Sequence, residues 1–99
     1  MFVLELSYHA PIEQVDALLP AHREWLEAQY AAGVFLASGR KEPREGGVIL
    51  AGGVDRAEIE RLVATDPFSV AGVCAYRIVQ FYATKTADGL APFRDELPA

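Results

Sequence analysis

The sequence is poor in cysteine and histidine, has fewer basic than acidic residues, and contains no long apolar run. A single cysteine, Cys74, in 99 residues excludes an internal disulfide and any multi-cysteine metal framework within one chain. The 9 basic residues are scattered among 14 acidic ones, and a net charge of -5 argues against binding to nucleic acid or to an anionic membrane. The N-terminal segment lacks the basic start of a signal peptide, and no segment is apolar enough to span a bilayer. We therefore expect one cytoplasmic domain.

What the sequence does contain is a regular succession of hydrophobic periods. Alternating apolar residues predict strands, and apolar residues at three- and four-residue steps predict helices. The predicted order is a strand, a helix, two strands joined by a polar glycine-rich loop, a second helix and a last strand. The corresponding ranges are Phe2–Tyr8, Ile12–Ala32, Val34–Ser38, Val48–Gly52, Asp55 to about Asp66, and Val73–Tyr82. This βαββαβ order predicts an α+β, ferredoxin-like fold, in which one antiparallel sheet carries both helices on one face.

Helix ends are marked by residues with known conformational preferences. Gly33 is placed to end the first helix, whereas Pro20 should kink that helix or restart it. Asp55 is placed to cap the second helix, with Glu58 three residues later as a capping box requires. Pro67 disfavours helical geometry at the residue before it, so we expect the second helix to end near Asp66.

The strands are apolar on both faces, yet two helices can cover only one face. Val3 opposes Leu4, and Ile49 opposes Leu50, across the plane of the predicted sheet. A monomer would expose a large apolar patch, which soluble proteins avoid. We therefore predict a homodimer formed by sheet-to-sheet packing. Residues 1–84 would form the domain and residues 85–99 a C-terminal tail on its surface or on a partner.

Two polar residues, His22 and Asp66, lie on apolar helix faces. His22 follows Leu18 and Leu19 and precedes Trp25 and Leu26 at helical spacing, so it points towards the sheet. Either it is a core histidine whose nitrogens bind backbone groups, or it is functional. Asp66 continues the apolar stripe of the second helix, where an unpaired charge is costly. Asp66 either hydrogen-bonds its own backbone in an Asp-Pro turn or pairs with His22.

The pairing can be tested by counting residues. If the first helix begins near Ile12, His22 and Asp66 both lie roughly 15 Å along their helices, at ~1.5 Å per residue. If the helix begins instead at Pro20, His22 cannot reach Asp66. A carboxylate beside an imidazole fixes its tautomer and makes it a stronger base, which suits general acid and base catalysis.

The segments His22–Leu26, Ser38-Gly39 and Asp66-Pro67-Phe68, followed by the last strand, resemble the YciI-like (YCII-related) family. The resemblance covers residues 2 to 82. It implies a ferredoxin-like fold that dimerises as an α/β barrel, with an active-site histidine and aspartate at His22 and Asp66. One relative is a dehydrochlorinase of a chlorinated hydroxyquinol, and related barrels include muconolactone isomerases and cofactor-free monooxygenases.

The sequence departs from this family at two positions near the expected site. Family members commonly have Leu where Arg23 stands, and Pro where Arg40 stands. Arg40 is either a cation at the mouth of the site or a solvated loop charge. Ser38 is either a hydrogen-bond donor to a ligand or an ordinary serine at a strand end. Tyr8 is the third substrate-binding candidate, although Tyr8 and Tyr76 are aromatic residues of a kind that more often belongs to the core or to a dimer interface.

Taken together, these features predict a small cofactor-independent enzyme with a His22–Asp66 pair. Its reaction would be isomerisation, elimination or dehydrochlorination of a small aromatic or lactone-like substrate. The alternative is a non-catalytic ligand-binding or assembly module of the same fold. A cofactor-free monooxygenase rests on analogy of fold alone. No metal is expected, because the histidines and Asp66 lack metal-ligand spacing, and Cys74 is expected to be a buried, inert thiol.

Overall fold

The structure is a computed structural model that describes residues 1–99. Four strands, β1 to β4, and three helices, α1 to α3, follow one another along the chain, and a 3₁₀ helix lies near its end. Their order is β1 (Phe2–Tyr8), α1 (Ile12–Ala31), β2 (Phe35–Arg40), β3 (Gly46–Ala51), α2 (Arg56–Val63), α3 (Pro67–Val70), β4 (Cys74–Gln80) and the 3₁₀ helix (Asp88–Phe93). No helix combines the length and the hydropathy needed to cross a bilayer.

One antiparallel sheet in the order β2-β3-β1-β4 forms the frame of the molecule. Leu4 of β1 lies opposite Ile49 of β3 and Ile78 of β4, so these side chains share the face that the helices cover. The residues packed there include Val15 of α1, Ile59 of α2 and Phe68 of α3, all almost fully buried. This topology confirms the ferredoxin-like α+β fold predicted from the order of elements.

Helix α1 runs without a break past Pro20, so of the two alternatives for this residue, a kink or a restart, the restart is wrong. Proline removes the hydrogen bond to the carbonyl of Asp16. Both residues are exposed, so water can satisfy that carbonyl. The helix ends as predicted at Gly33, whose φ of 76° suits glycine alone. The N–H of Gly33 donates to the carbonyl of Tyr30, and that of Val34 to the carbonyl of Gln29, which forms a Schellman motif.

The second helical region is two helices and not one. Asp55 caps α2 as predicted, because its side chain accepts a hydrogen bond from the N–H of Glu58 at 2.9 Å. The carboxylate of Glu58 pairs with Arg61 and does not return to the helix start. Helix α2 then ends at Val63, earlier than predicted, and Pro67 begins α3. Proline fits the first helical turn, so it both ends one helix and starts the next.

The hairpin between β2 and β3 is tighter than its sequence predicts. Both strands extend into the glycine-rich segment, and the connection shrinks to residues 41–45. A Cβ atom at Gly46 would lie 1.8 Å from the carbonyl oxygen of Leu6. Gly46 is therefore required for the close approach of β3 to β1, although the sequence predicts that the glycine-rich loop continues to the residue before Val48.

The chain beyond β4 folds back onto the strand ends. Phe93 of the 3₁₀ helix lies near Gly52, which follows β3. Asp95 accepts hydrogen bonds from the amino group of Met1 at 2.8 Å and from the N–H of Ala83 at 2.9 Å. The hydrogen bond from the amino group, and then that from Ala83, hold the pKa of Asp95 below its ordinary value. The C-terminal segment thus packs against its own domain.

Replacing Gly46 by alanine should destabilise the protein by roughly 1–3 kcal/mol, because the added methyl group forces β3 away from β1. Gly39→Ala is the matched control, since a Cβ at Gly39 meets no atom within 4 Å. Urea unfolding followed by the fluorescence of Trp25 measures both variants. Equal unfolding midpoints for the two would show that this close approach is not a constraint.

Candidate active site

A buried hydrogen bond joins α1 to the residue that precedes α3. Nδ1 of His22 lies 2.8 Å from Oδ1 of Asp66. The side chain of His22 is 11% exposed and that of Asp66 is fully buried. The continuous helix from Ile12 provides the reach that the pairing needs. Asp66, however, lies in the turn after α2 and is the N-cap of α3, not a residue on the stripe of α2.

Asp66 is held by three donors. Its Oδ1 also accepts a hydrogen bond from the N–H of Phe68 at 2.9 Å, and its Oδ2 accepts one from the hydroxyl of Tyr76 at 2.5 Å. The two alternatives for Asp66, a turn of its own backbone and a pair with His22, therefore occur together. Because the donors come from α1, from the first turn of α3 and from β4, they fix the orientation of this carboxylate.

Tyr76 is a site residue that sequence reasoning assigned to the core or to a dimer interface. Burial, and then the negative charge of Asp66, raise the pKa of Tyr76 well above its ordinary value. The phenol therefore keeps its proton and remains a donor to Asp66. A signal was present in the sequence, because Tyr76 lies two residues from Ile78 on β4 and so shares its inward face.

The second nitrogen of His22 is the group available to a ligand. Nε2 of His22 has no hydrogen-bond partner within the chain. Every fully buried side-chain nitrogen or oxygen does have such a partner, so Nε2 is not fully buried. Nε2 is therefore accessible, and His22 lines a cavity. With Nδ1–H assigned as the donor to Asp66, the tautomer that this network favours, Nε2 carries the lone pair and can act as a base.

Two aromatic rings restrain the imidazole. The ring of Phe68 stacks on it with centroids 4.1 Å apart and planes 9° apart, and Trp25 approaches at 5.7 Å. Trp25 is itself anchored, because its Nε1 donates to Oγ1 of Thr65 at 2.9 Å. Both rings therefore restrict the orientation of the imidazole.

The cavity has a volume of about 560 Å³, within the usual range of small-molecule sites. Its apolar wall includes Leu19, Leu26 and Ile49. The polar and charged groups that line it are Tyr8, Asp16, His22, Arg23, Ser38, Arg40 and Arg44. His22, Ser38, Arg40 and Tyr8, the candidates read from the sequence, thus lie around one space, with Asp66 buried behind His22.

Two polar contacts at the cavity were not anticipated from the sequence. The hydroxyl groups of Tyr30 and Ser38 lie 2.6 Å apart, which positions the serine. Arg44, from the loop between β2 and β3, donates to Oδ1 of Asp16 at 2.5 Å. The hydrogen bond to Asp16 raises the pKa of Arg44. The partners are 8 and 28 positions apart and lie on different elements, so no local sequence pattern predicts these contacts.

Cys74 lies half-buried at the start of β4 and outside the cavity lining. Burial, and then the charge of Asp66, raise the pKa of its thiol from 9.0 to about 11. The thiol is therefore protonated at neutral pH and is a poor nucleophile. No group of three His, Cys, Asp or Glu side chains converges closely enough to hold a metal ion.

Iodoacetamide should alkylate Cys74 slowly in the folded protein at pH 8, because a pKa raised from 9.0 to about 11 leaves a thiolate fraction about a hundredfold smaller. The raised pKa also affects the free energy of unfolding, because the unfolded chain loses this proton at a lower pH than the folded chain. The contribution of the thiol to stability is therefore fully present below pH 9 and is lost as the pH rises towards 11. Mass spectrometry of the modified chain measures the rate, with urea-unfolded protein as the control. Equal rates in the two states would contradict the shift.

Comparison with known proteins places the chain in a family. The family model of the YCII-related domain matches residues 1–82. Among solved structures, the chain is similar to 5-chloro-2-hydroxyhydroquinone dehydrochlorinase (TftG) from Burkholderia phenoliruptrix AC1100, in complex with 2,5-dihydroxybenzoquinone. The TM-score is 0.68 at 19% identity, over 82% of this chain and 93% of that one, and this likeness shows a shared fold. No curated protein matches in sequence. The chain belongs to the family of the YCII-related domain.

Proposed function

We propose that the protein is a small, cofactor-independent enzyme that transfers protons on a small aromatic or lactone-like substrate. His22 is the general acid and base, and Asp66 orients it. The observation that carries the proposal is the accessible Nε2 of an imidazole whose other nitrogen is bound, at 2.8 Å, to a fully buried carboxylate. Such an arrangement fixes the tautomer and stabilises the imidazolium that forms when Nε2 takes a proton.

The proton transfer accounts for either isomerisation or elimination. Nε2 takes a proton from the substrate, and the electron pair of the broken bond forms a new double bond. In a dehydrochlorination this double bond forms as the C–Cl bond breaks. Chloride leaves with its electron pair, and the imidazolium then releases its proton to water. In an isomerisation the imidazolium returns the proton to a different carbon. Neither route requires a redox partner, because the substrate neither gains nor loses electrons overall.

The structural neighbour supports the elimination in particular. That protein is a dehydrochlorinase in complex with 2,5-dihydroxybenzoquinone, a planar ring with several oxygens. A ring of that size fits within a cavity of about 560 Å³. The apolar wall and the hydroxyl groups of Tyr8 and Ser38 suit a hydroxylated ring.

An alternative function is a non-catalytic module that binds a small ligand or supports assembly. One observation favours it: Asp66 joins α1, the start of α3 and β4, so the His22–Asp66 pair also serves packing. In that case the aromatic residues around His22 would form a ligand pocket with no proton transfer.

Replacing His22 by glutamine should lower turnover at least about a hundredfold, because general acid and base catalysis contributes that much. The assay follows chloride release from 5-chloro-2-hydroxyhydroquinone and isomer formation from muconolactone. His9→Gln is the matched control, since His9 is exposed and outside the cavity. Asp66→Asn should also lose activity, because an amide can donate to Nδ1 and leave the proton on Nε2.

Three outcomes separate the alternatives. Loss of turnover in His22→Gln with unchanged ligand affinity supports the enzyme. Full turnover in a folded His22→Gln variant refutes it. A large fall in the urea midpoint of both His22→Gln and Asp66→Asn, with wild-type affinity for the ring, favours the module, in which the pair is structural.

We further propose that the protein acts in the cytoplasm as a homodimer packed sheet against sheet. The sheet face away from the helices carries Val3, Val48, Leu50 and Val79. Val48 and Val79 are each 39% exposed, so the apolar centre of this face has no cover within the chain. A second copy would bury it and complete an α/β barrel of the family's type.

The dimer predicts a solution mass of twice the chain mass of 10.8 kDa, measured by light scattering over a concentration series. Val79→Asp should yield monomers, because it places a charge in the buried interface. Val70→Asp is the matched control, since Val70 lies on α3 with 76% of its surface exposed. Monomer mass for the wild type at every concentration would refute the dimer.

A further inference from the structure

The cavity is basic although the protein is acidic. The chain has a net charge of -5, yet three arginines, Arg23, Arg40 and Arg44, line the cavity. The only carboxylate among the lining residues is that of Asp16, and it is paired with Arg44 at 2.5 Å. None of the six ion pairs in the structure involves Arg23 or Arg40. Two of the arginines that line the cavity, Arg23 and Arg40, therefore lack an acidic partner.

The strand pairing shows on which face of the sheet Arg40 lies. Arg40 pairs with Gly47 and Ser38 with Ile49 across the β2–β3 ladder. Gly47 and Ile49 lie opposite Leu6 and Leu4 of β1, so Arg40 and Ser38 both lie on the helix-covered face. A guanidinium and a hydroxyl two residues apart on one face of a strand are donors that together suit an oxyanion.

Ser38 is held ready to donate. Its Oγ lies 2.6 Å from the hydroxyl of Tyr30, and if Tyr30 donates, the hydrogen of Ser38 is free for a ligand. The imidazole edge of His22 lines the same cavity, with Leu19 and Leu26 in its apolar wall. A ligand with an anionic group at Arg40 and an apolar ring between Arg40 and His22 would contact both hydrogen-bond donors and the apolar wall.

We propose that the site selects a planar aromatic ligand that carries a carboxylate, bound by Arg40 and Ser38, with the ring directed to Nε2 of His22. This deepens the proposed function, on which it rests, by naming the substrate class. Arg23 adds to the local positive potential, and Arg44 is neutralised by Asp16. Asp66 is fully buried and is not among the residues that line the cavity, so it makes no contact with the ligand's anion.

Trp25 provides a direct binding signal. It is the only tryptophan, and its ring lies 5.7 Å from that of His22, so a ligand beside His22 should change its fluorescence. The two probes are 2,5-dihydroxybenzoate and its neutral amide, 2,5-dihydroxybenzamide, which share ring and hydroxyl groups. We expect the carboxylate to bind about tenfold more tightly than the amide, an advantage typical of a charge-assisted hydrogen bond. This advantage should shrink as salt is added.

The variant Arg40→Gln should abolish this preference and leave the affinity for the amide unchanged. Arg61→Gln is the matched control, because it removes the same charge from an exposed residue of α2 outside the cavity. Equal binding of the two probes by the wild type, no binding of either at millimolar concentration, or an intact preference in Arg40→Gln would each overturn the proposal.

His22→Gln separates this proposal from the catalytic one. If that variant loses turnover and keeps the preference for the carboxylate, both proposals stand. If it keeps turnover while Arg40→Gln loses the preference, the catalytic role fails and the anion site remains. If Arg40→Gln changes neither affinity while turnover still depends on His22, the enzyme stands and the anion site is refuted.

Discussion

The rest of the structure depends on one buried carboxylate. Removing Asp66 from water is costly unless its oxygens accept hydrogen bonds, and here three donors fill them. They come from α1, from the first turn of α3 and from β4, so they tie the first helix to the second half of the chain. The same contacts that make this burial tolerable also hold the imidazole of His22 in place. Fold and candidate site therefore share one network.

The hydrogen bond to Asp66 and the neighbouring aromatic rings hold the imidazole of His22 in place. Phe68 stacks on the imidazole, and Trp25 packs near it, so both rings restrict its movement. The edge that carries Nε2 is left to the cavity. Rigid support of this kind is what general acid and base chemistry needs, because proton transfer requires a fixed distance between donor and acceptor. Tyr76 serves the same end from β4 by keeping its proton and donating to Asp66.

The charge of the cavity could not be inferred from the charge of the chain. A low isoelectric point describes the sum of all side chains, most of which lie on the outer surface. Arg40 reaches the cavity because β2 continues to that residue, whereas its sequence context of glycine and charge indicates a loop. Arg44 reaches it because the connection is short, and Asp16 on α1 lies opposite. Local electrostatics thus depend on where strands end.

The sequence by itself determined the order of the elements, the caps at Gly33 and Asp55, and the inward direction of His22. These follow from hydrophobic periods and from residues with strong conformational preferences, which act over a few positions. Sequence reasoning also reached the pairing of His22 with Asp66, partly through a resemblance to a family. It misplaced Asp66 on α2, because nothing in the apolar period shows that Pro67 starts a new helix.

Only the tertiary structure decided which atoms meet. His22 and Asp66 are 44 positions apart, and Tyr76 reaches the second carboxylate oxygen only because β4 lies beside β1. The same holds for the contacts of Ser38 with Tyr30 and of Arg44 with Asp16. A hydrogen bond forms or fails within a few tenths of an ångström, and that precision comes from the packing of whole elements and not from local preference.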